Sequence, residues 1–213
     1  MQDTKFLKSE IVRIGKKLYA NKFIAAYDGN ISVRLANNNL LTTPSGACKG
    51  NITEADILEI DQQGQIVAGK GKPSSEFRMH LICYRLRPDI KAVVHAHPAL
   101  CTALTIAGIS LMDPVIPEMV VTMGGVPTAP YATPGTEEVP DSIESLMPCH
   151  DAVLLERHGA VTVGNTLDEA YYKLEKIEHS AMTILAARQA GAVNPLPPDK
   201  VEKLVELRNR YKH

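Results

Sequence analysis

Apolar residues recur at Leu7, Ile11, Ile14 and Leu18, the spacing of one helical face, so the chain opens with an amphipathic helix. Ile31, Val33 and Leu35 then alternate with polar neighbours, the pattern of a half-buried strand. Three asparagines, Asn37 to Asn39, make a turn, and "LLTT" returns as a second strand. "TEAD" (53–56) reads as a short helix start before the strand "ILEI", and "DQQG" turns the chain into "QIV". A helix over residues 74–86 ends ahead of Pro88, because a proline disfavours helix in the residue before it. "KAVVHAH" is a strand; "PALCTALTIAG" is a helix with proline at its start and glycine at its end. "AVLLERHGAVTVG" holds strands on either side of a polar interruption, and "TLDE" (166–169) caps a long helix to about residue 190. Gly191 stops it, "NPLPPD" forms a stiff connector, and a last helix carries Val201, Leu204, Val205 and Leu207 on one side. Hairpin-linked strands mixed with helices predict one α+β domain over residues 1–213 with a substantially antiparallel sheet.

Composition narrows the class. The chain has 213 residues, 45% of them hydrophobic and 22% charged, which suits a globular domain with its own core. A net charge of −1 argues against a nucleic-acid or membrane partner, since both favour basic surfaces. No apolar run reaches the roughly 18 residues of a membrane span, and the N-terminus lacks the layout of an export signal. Cys48, Cys83, Cys101 and Cys149 show no close pairs, so they read as reduced thiols in a cytoplasmic protein.

The candidate chemistry centres on histidines. His95 and His97 flank Ala96 at the end of a β-branched run. Strand side chains alternate faces, so both imidazoles point the same way. His158, in "LLERHGAV", also ends a β-type run and is followed by Gly159. Three imidazoles with an open position form a catalytic zinc pattern; hydrogen-bonded core histidines would satisfy the same spacing. Ser74 and Ser75 open a helix after Pro73, where free N–H groups and hydroxyls suit an anion, although an ordinary helix cap would also use them. Glu76 follows as a first-turn carboxylate.

Taken together, "GNISVR", "TPSG", "KPSSE", "VVHAHP", "APYATPGT" and "ERHGAV" resemble the class II aldolase/adducin family, closest to its L-fuculose-phosphate aldolase branch. The resemblance runs over nearly the whole chain. It implies a three-layer α/β/α sandwich around a mainly antiparallel sheet, assembled as a homotetramer with active sites at subunit interfaces. It implies that His95, His97 and His158 bind a divalent metal, usually zinc, with manganese or another divalent ion as alternatives. Glu76 matches the acid/base carboxylate, which also binds the resting metal. Asn30, Ser45, Gly46, Ser74 and Ser75 match phosphate-binding positions, and Tyr211 resembles a tyrosine near the site. The implied reaction is cleavage of a short-chain ketose 1-phosphate to dihydroxyacetone phosphate and an aldehyde, with L-fuculose 1-phosphate or a deoxypentulose 1-phosphate as the type of substrate.

One position departs from the branch. Glu118, in "IPEMV", stands where fuculose-phosphate aldolases carry a tyrosine that reaches a neighbouring subunit's site. Methylthioribulose-phosphate dehydratases resemble this chain there, with a catalytic glutamate, and pentulose-phosphate 4-epimerases have an aspartate nearby. The retained "SSE" glutamate favours the aldolase over the epimerase, whose "SSD" is absent. A non-catalytic binding module like the adducin head shares the fold but has no need of three histidines.

Overall fold

The computed structural model describes residues 4–211. Eight strands form one sheet: β1 (Asn30–Arg34), β2 (Leu40–Thr42), β3 (Leu58–Ile60), β4 (Ile66–Ala68), β5 (Ala92–Ala96), β6 (Thr128–Ala129), β7 (Ala152–Leu155) and β8 (Gly159–Gly164). Their spatial order is β4-β3-β2-β1-β5-β8-β7-β6. Every pairing is antiparallel except that of β6 with β7. The helices are α1 (Thr4–Ala20), α2 (Phe77–Leu86), α3 (Ala99–Ile106), α4 (Pro117–Thr122), α5 (Glu138–Ile143), α6 (Leu167–Ala190) and α7 (Pro198–Tyr211).

Strand alternation sorts the core into two layers. Ile31, Val33, Ala92, Val94 and Ala160 pack with α1, α3 and α6 on one face. Val93, Val153, Val161 and Val163 pack with α2 and α5 on the other. The result is the expected three-layer α/β/α sandwich.

The expected half-buried first strand is corrected by this arrangement. Asn30 and Ser32 of β1 are as buried as Ile31 and Val33, because α2 covers the face on which alternation predicts solvent. Ser32 meets that cover by bonding His80 Nδ1 at 2.6 Å and Tyr84 Oη at 3.0 Å, both on α2. The second helix is also corrected at its start. It begins at Phe77 rather than Ser74, because Pro73 is held in a bridge to Pro44 and Ser74 Oγ accepts the Glu76 N–H in a turn. The "TEAD" segment is a single 3-10 turn, Glu54–Asp56. At the start of α6, Thr166 accepts the Glu169 N–H, but the Glu169 carboxylate takes the N–H of Asn165 rather than of Thr166. On α7, Val201 and Leu204 are partly covered while Val205 and Leu207 stay exposed, since the helix rests mainly on α4. The four cysteines are free thiols, with Cys83 and Cys101 buried and Cys149 exposed. No helix among the described residues is long and apolar enough to cross a membrane.

Candidate metal centre

The centre of the sheet, β1-β5-β8, delivers the candidate ligands. His95 lies on β5 between Asn30 of β1 and Val161 of β8. Its Nδ1 is 3.0 Å from the Ala160 carbonyl. A carbonyl only accepts, so Nδ1 carries the proton and the lone pair of Nε2 faces inward. His97, one residue past the strand, is set by its own N–H donating to the Phe23 carbonyl at 2.9 Å. His158 sits in the tight turn from β7 to β8, where Arg157 takes a left-handed φ of 59° and its N–H is tied to Thr105 Oγ1. Gly159 is required here for space. A Cβ would strike the Ala96 carbonyl and press on the His97 ring, so glycine lets β8 close against the end of β5.

Glu76, in the turn before α2, completes the group. The ligand atoms of Glu76, His95, His97 and His158 all lie within 4.8 Å of one another. His95 Nε2 is 3.0 Å from His97 Nε2 and 3.3 Å from Glu76 Oε2; His158 Nε2 is 3.1 Å from Glu76 Oε1. Glu76 Oε1 is buried without a well-formed hydrogen bond. Convergent lone pairs and a carboxylate oxygen in need of a partner fit a divalent cation with nitrogen and oxygen ligands. Burial works against the Glu76 charge, but His95 and His158 outweigh it and hold the carboxyl well below the usual carboxylate range. Burial foremost, reinforced by any positive charge on His95 or His158, pushes His97 down to about 3, which favours the neutral, ligating imidazole.

The predicted anion residues gather beside this cluster. Asn30 Nδ2 donates to Glu76 Oε2 at 2.8 Å and lies 3.2 Å from Ser74 Oγ, while its Oδ1 is buried and unbonded. The Pro44–Pro73 bridge and a bond from Ser45 N–H to the Lys72 carbonyl at 2.9 Å bring "TPSG" alongside "KPSSE". Ser45, Gly46 and Ser75 are exposed, and Ser74 is buried. Gly46 takes a φ of 68° with open space where a Cβ would point, so its backbone is free to face a ligand. Gly135 of "APYATPGT" approaches Ser75 from the other side.

One predicted residue stands apart, and the side chain of another is not described. Glu118 lies in the first turn of α4, exposed and outside the cluster. Tyr211 ends α7, and its side chain lies outside the described residues. Of the other histidines, His80 is buried against Ser32, His150 bonds the Leu146 carbonyl and His179 is exposed. Sequence reasoning missed Asp28, whose Oδ2 is 3.6 Å from His97 Nδ1, and Lys49, buried in the loop after "TPSG". Neither has a spacing that advertises it.

The class II aldolase and adducin N-terminal domain model matches residues 9–185, and the chain belongs to that family. It is 35% identical over 182 residues to the 3-oxo-tetronate 4-phosphate decarboxylase of Escherichia coli K12, covering 84% of this chain and 85% of that one. It is 34% identical over 206 residues to the 5-deoxy-D-ribulose 1-phosphate aldolase of Bacillus thuringiensis, covering 96% of both. A solved structure of an L-fuculose 1-phosphate aldolase superposes with a TM-score of 0.87 at 33% identity, covering 97% of this chain and 96% of that one. Family, fold and cluster make this chain a carbon–carbon lyase of the class II aldolase type.

Proposed function

We propose that the chain cleaves a short-chain ketose 1-phosphate, of the L-fuculose or 5-deoxypentulose type, to dihydroxyacetone phosphate and an aldehyde. The observation that carries this reading is the Glu76–His95–His97–His158 cluster, with Asn30 and Ser74 beside it. Glu76, His95, His97 and His158 would hold a divalent ion, zinc by this ligand set, which would supply Lewis-acid stabilisation of the oxygen charge that develops as the carbon–carbon bond breaks. Ser45, Gly46, Ser74, Ser75 and Asn30 hold the phosphate away from the reacting bond and fix the substrate's orientation. Glu76, aligned by Asn30, moves the proton at the carbon of the phosphorylated three-carbon fragment. Glu118 and Tyr211 belong to this reading as groups that serve a neighbouring subunit's site, Glu118 as acid/base on the aldehyde oxygen. The chain then works as one unit over residues 1–213, in a homotetramer, in the cytoplasm.

A second reading rests on the decarboxylase likeness. Loss of carbon dioxide from a 3-oxo acid phosphate leaves the same kind of charge beside a carbonyl, yet needs no base at a hydroxyl. The carbon that loses carbon dioxide must then take up a proton, but Glu118 has no hydroxyl to deprotonate. The dehydratase and 4-epimerase alternatives instead make Glu118 the main acid/base.

The test is deuterium incorporation into dihydroxyacetone phosphate by the metal-loaded protein, followed by NMR, beside product analysis on ketose 1-phosphates and a 3-oxo-tetronate 4-phosphate. The aldolase exchanges the C3 proton; Glu76→Gln stops exchange at unchanged metal content. Glu118→Gln spares the exchange but slows cleavage by about 10²–10⁴. Wild-type protein that exchanges nothing and releases carbon dioxide from the 3-oxo acid overturns the aldolase in favour of the decarboxylase.

A further inference from the structure

Lys49 is among the most deeply enclosed large side chains of the molecule, 2% exposed. A buried ammonium is costly unless it is paired. Its Nζ donates to the Tyr27 carbonyl at 2.6 Å. Burial pushes the ammonium's pKa down, and the foremost charge opposing that is Asp28. The backbone at Lys49 is fixed in turn. A Cβ added to Gly15 of α1 would lie 2.6 Å from the Lys49 carbonyl oxygen, so helix and loop are in close contact.

The segment that Lys49 grips is the link from α1 to β1, and it frames the metal centre from behind. The Phe23 carbonyl accepts the His97 N–H. Gly29, at a φ of 70°, sits so close to β5 that a Cβ would be 2.8 Å from the His95 carbonyl oxygen. Asp28 Oδ2 stands 3.6 Å from His97 Nδ1, the ring nitrogen turned away from the cluster. A carboxylate behind a ligating imidazole sets its tautomer and raises its basicity. Residues 25–28 have little else to hold them. They are exposed, Ala26 adopts a left-handed φ of 46°, and Asp28 N–H bonds locally to the Ala25 carbonyl.

We propose that Lys49 is a positioning residue for the metal centre: it pins the tip of the α1–β1 link so that Asp28 orients His97 from behind. The same loop carries Ser45 and Gly46, so one short segment serves both the anion surface and the backing of the metal ligands. The inference rests on the metal-centre reading above and extends it to two residues outside the cluster.

The experiment measures zinc affinity of the purified full chain by competition with a chromophoric chelator, and the visible absorption of the cobalt-loaded protein. The variants are Lys49→Met, Asp28→Asn and the double substitution. Each single change weakens zinc binding about tenfold to a hundredfold and shifts the cobalt bands; the double change is no worse than the poorer single one, because both act through one contact. Asp28 is exposed, so Asp28→Asn folds even if Lys49→Met does not. Wild-type zinc affinity in Asp28→Asn, or in folded Lys49→Met, overturns the proposal, as do additive losses. A variant with a lower melting temperature but an unchanged cobalt spectrum marks a purely structural lysine and overturns it too. Wild-type protein that binds no zinc removes the metal centre itself, a failure recognisable before any variant is compared.

Discussion

His80 lies one helical turn beyond Glu76 on α2, fully enclosed, with Nε2 unbonded and Nδ1 on Ser32. Burial, then the neighbouring His95, pushes its pKa down to about 3, against the pull of Glu76. In the unfolded chain it titrates near 6.5. Between those values the unfolded state takes up a proton that the native state refuses, so stability falls as pH drops from about 6.5 toward 3 and is level above. Each tenfold difference in proton affinity is worth about 1.4 kcal/mol. His97, depressed for similar reasons, adds to the slope in metal-free protein. Urea unfolding of metal-free protein from pH 7 to pH 5 checks this. The wild type weakens over that range, and His80→Gln, which cannot be protonated, weakens less. Identical slopes would mean that His80 titrates normally in the fold.

At the scale of elements, the join between β5 and β8 is the demanding one, because it places His97 and His158 side by side. Gly159→Ala forces the Ala96 carbonyl or the His97 ring to move. We expect a loss of stability of about 1–3 kcal/mol, typical of overpacking, and weaker zinc binding, read from urea midpoints and chelator competition. Wild-type zinc affinity in the Gly159→Ala variant would show that the turn carries His158 independently of β5.

The same join explains what was legible beforehand. The alternation in "KAVVHAH" put His95 and His97 on one side, and the break at "ERHG" marked a second strand end, so spacing offered three candidate ligands and the family resemblance chose metal binding over core histidines. From the residues alone Glu76 was visible only as a first-turn carboxylate, and its place at the metal came from the family resemblance, since it depends on the turn that Pro73 and Ser74 impose. Asn30 and Ser32 looked like solvent positions because alternation reports polarity, not what covers a face. The helices α4 and α5, six residues each, are too short to show a period and went unread between residues 111 and 150. Lys49 and Asp28 act through a backbone carbonyl and a 3.6 Å approach, and no residue pattern encodes such contacts.

At the scale of the whole molecule, the two core layers are built of buried apolar residues that include none of the metal donors, so chelation should abolish activity and leave far-ultraviolet circular dichroism unchanged. Zinc should still raise the melting temperature, because an ion that binds only the native state stabilises it by mass action. At a free concentration a thousand times Kd the gain is about 4 kcal/mol. Collapse of the dichroism on chelation would instead make the ion part of the core. The exposed Val205 and Leu207 on α7 are apolar surface that a homotetramer has reason to cover, and light scattering on the purified chain decides its mass.

The ladder β1-β5-β8 has a consequence in time. His95 Nδ1 and the Ala160 carbonyl it bonds are 65 residues apart in the chain, and Asn30 and Glu76 are separated by 46. Contacts this remote close large loops and form late, so sheets of this topology fold slowly. A growing chain that has released His95 and His97 but not β8 already carries three of the four donors, Glu76 included, beside an open strand edge. Only when the last central strand inserts do the four donors meet. Zinc capture during refolding should therefore lag behind the burst of helix signal and coincide with the final packing of β8.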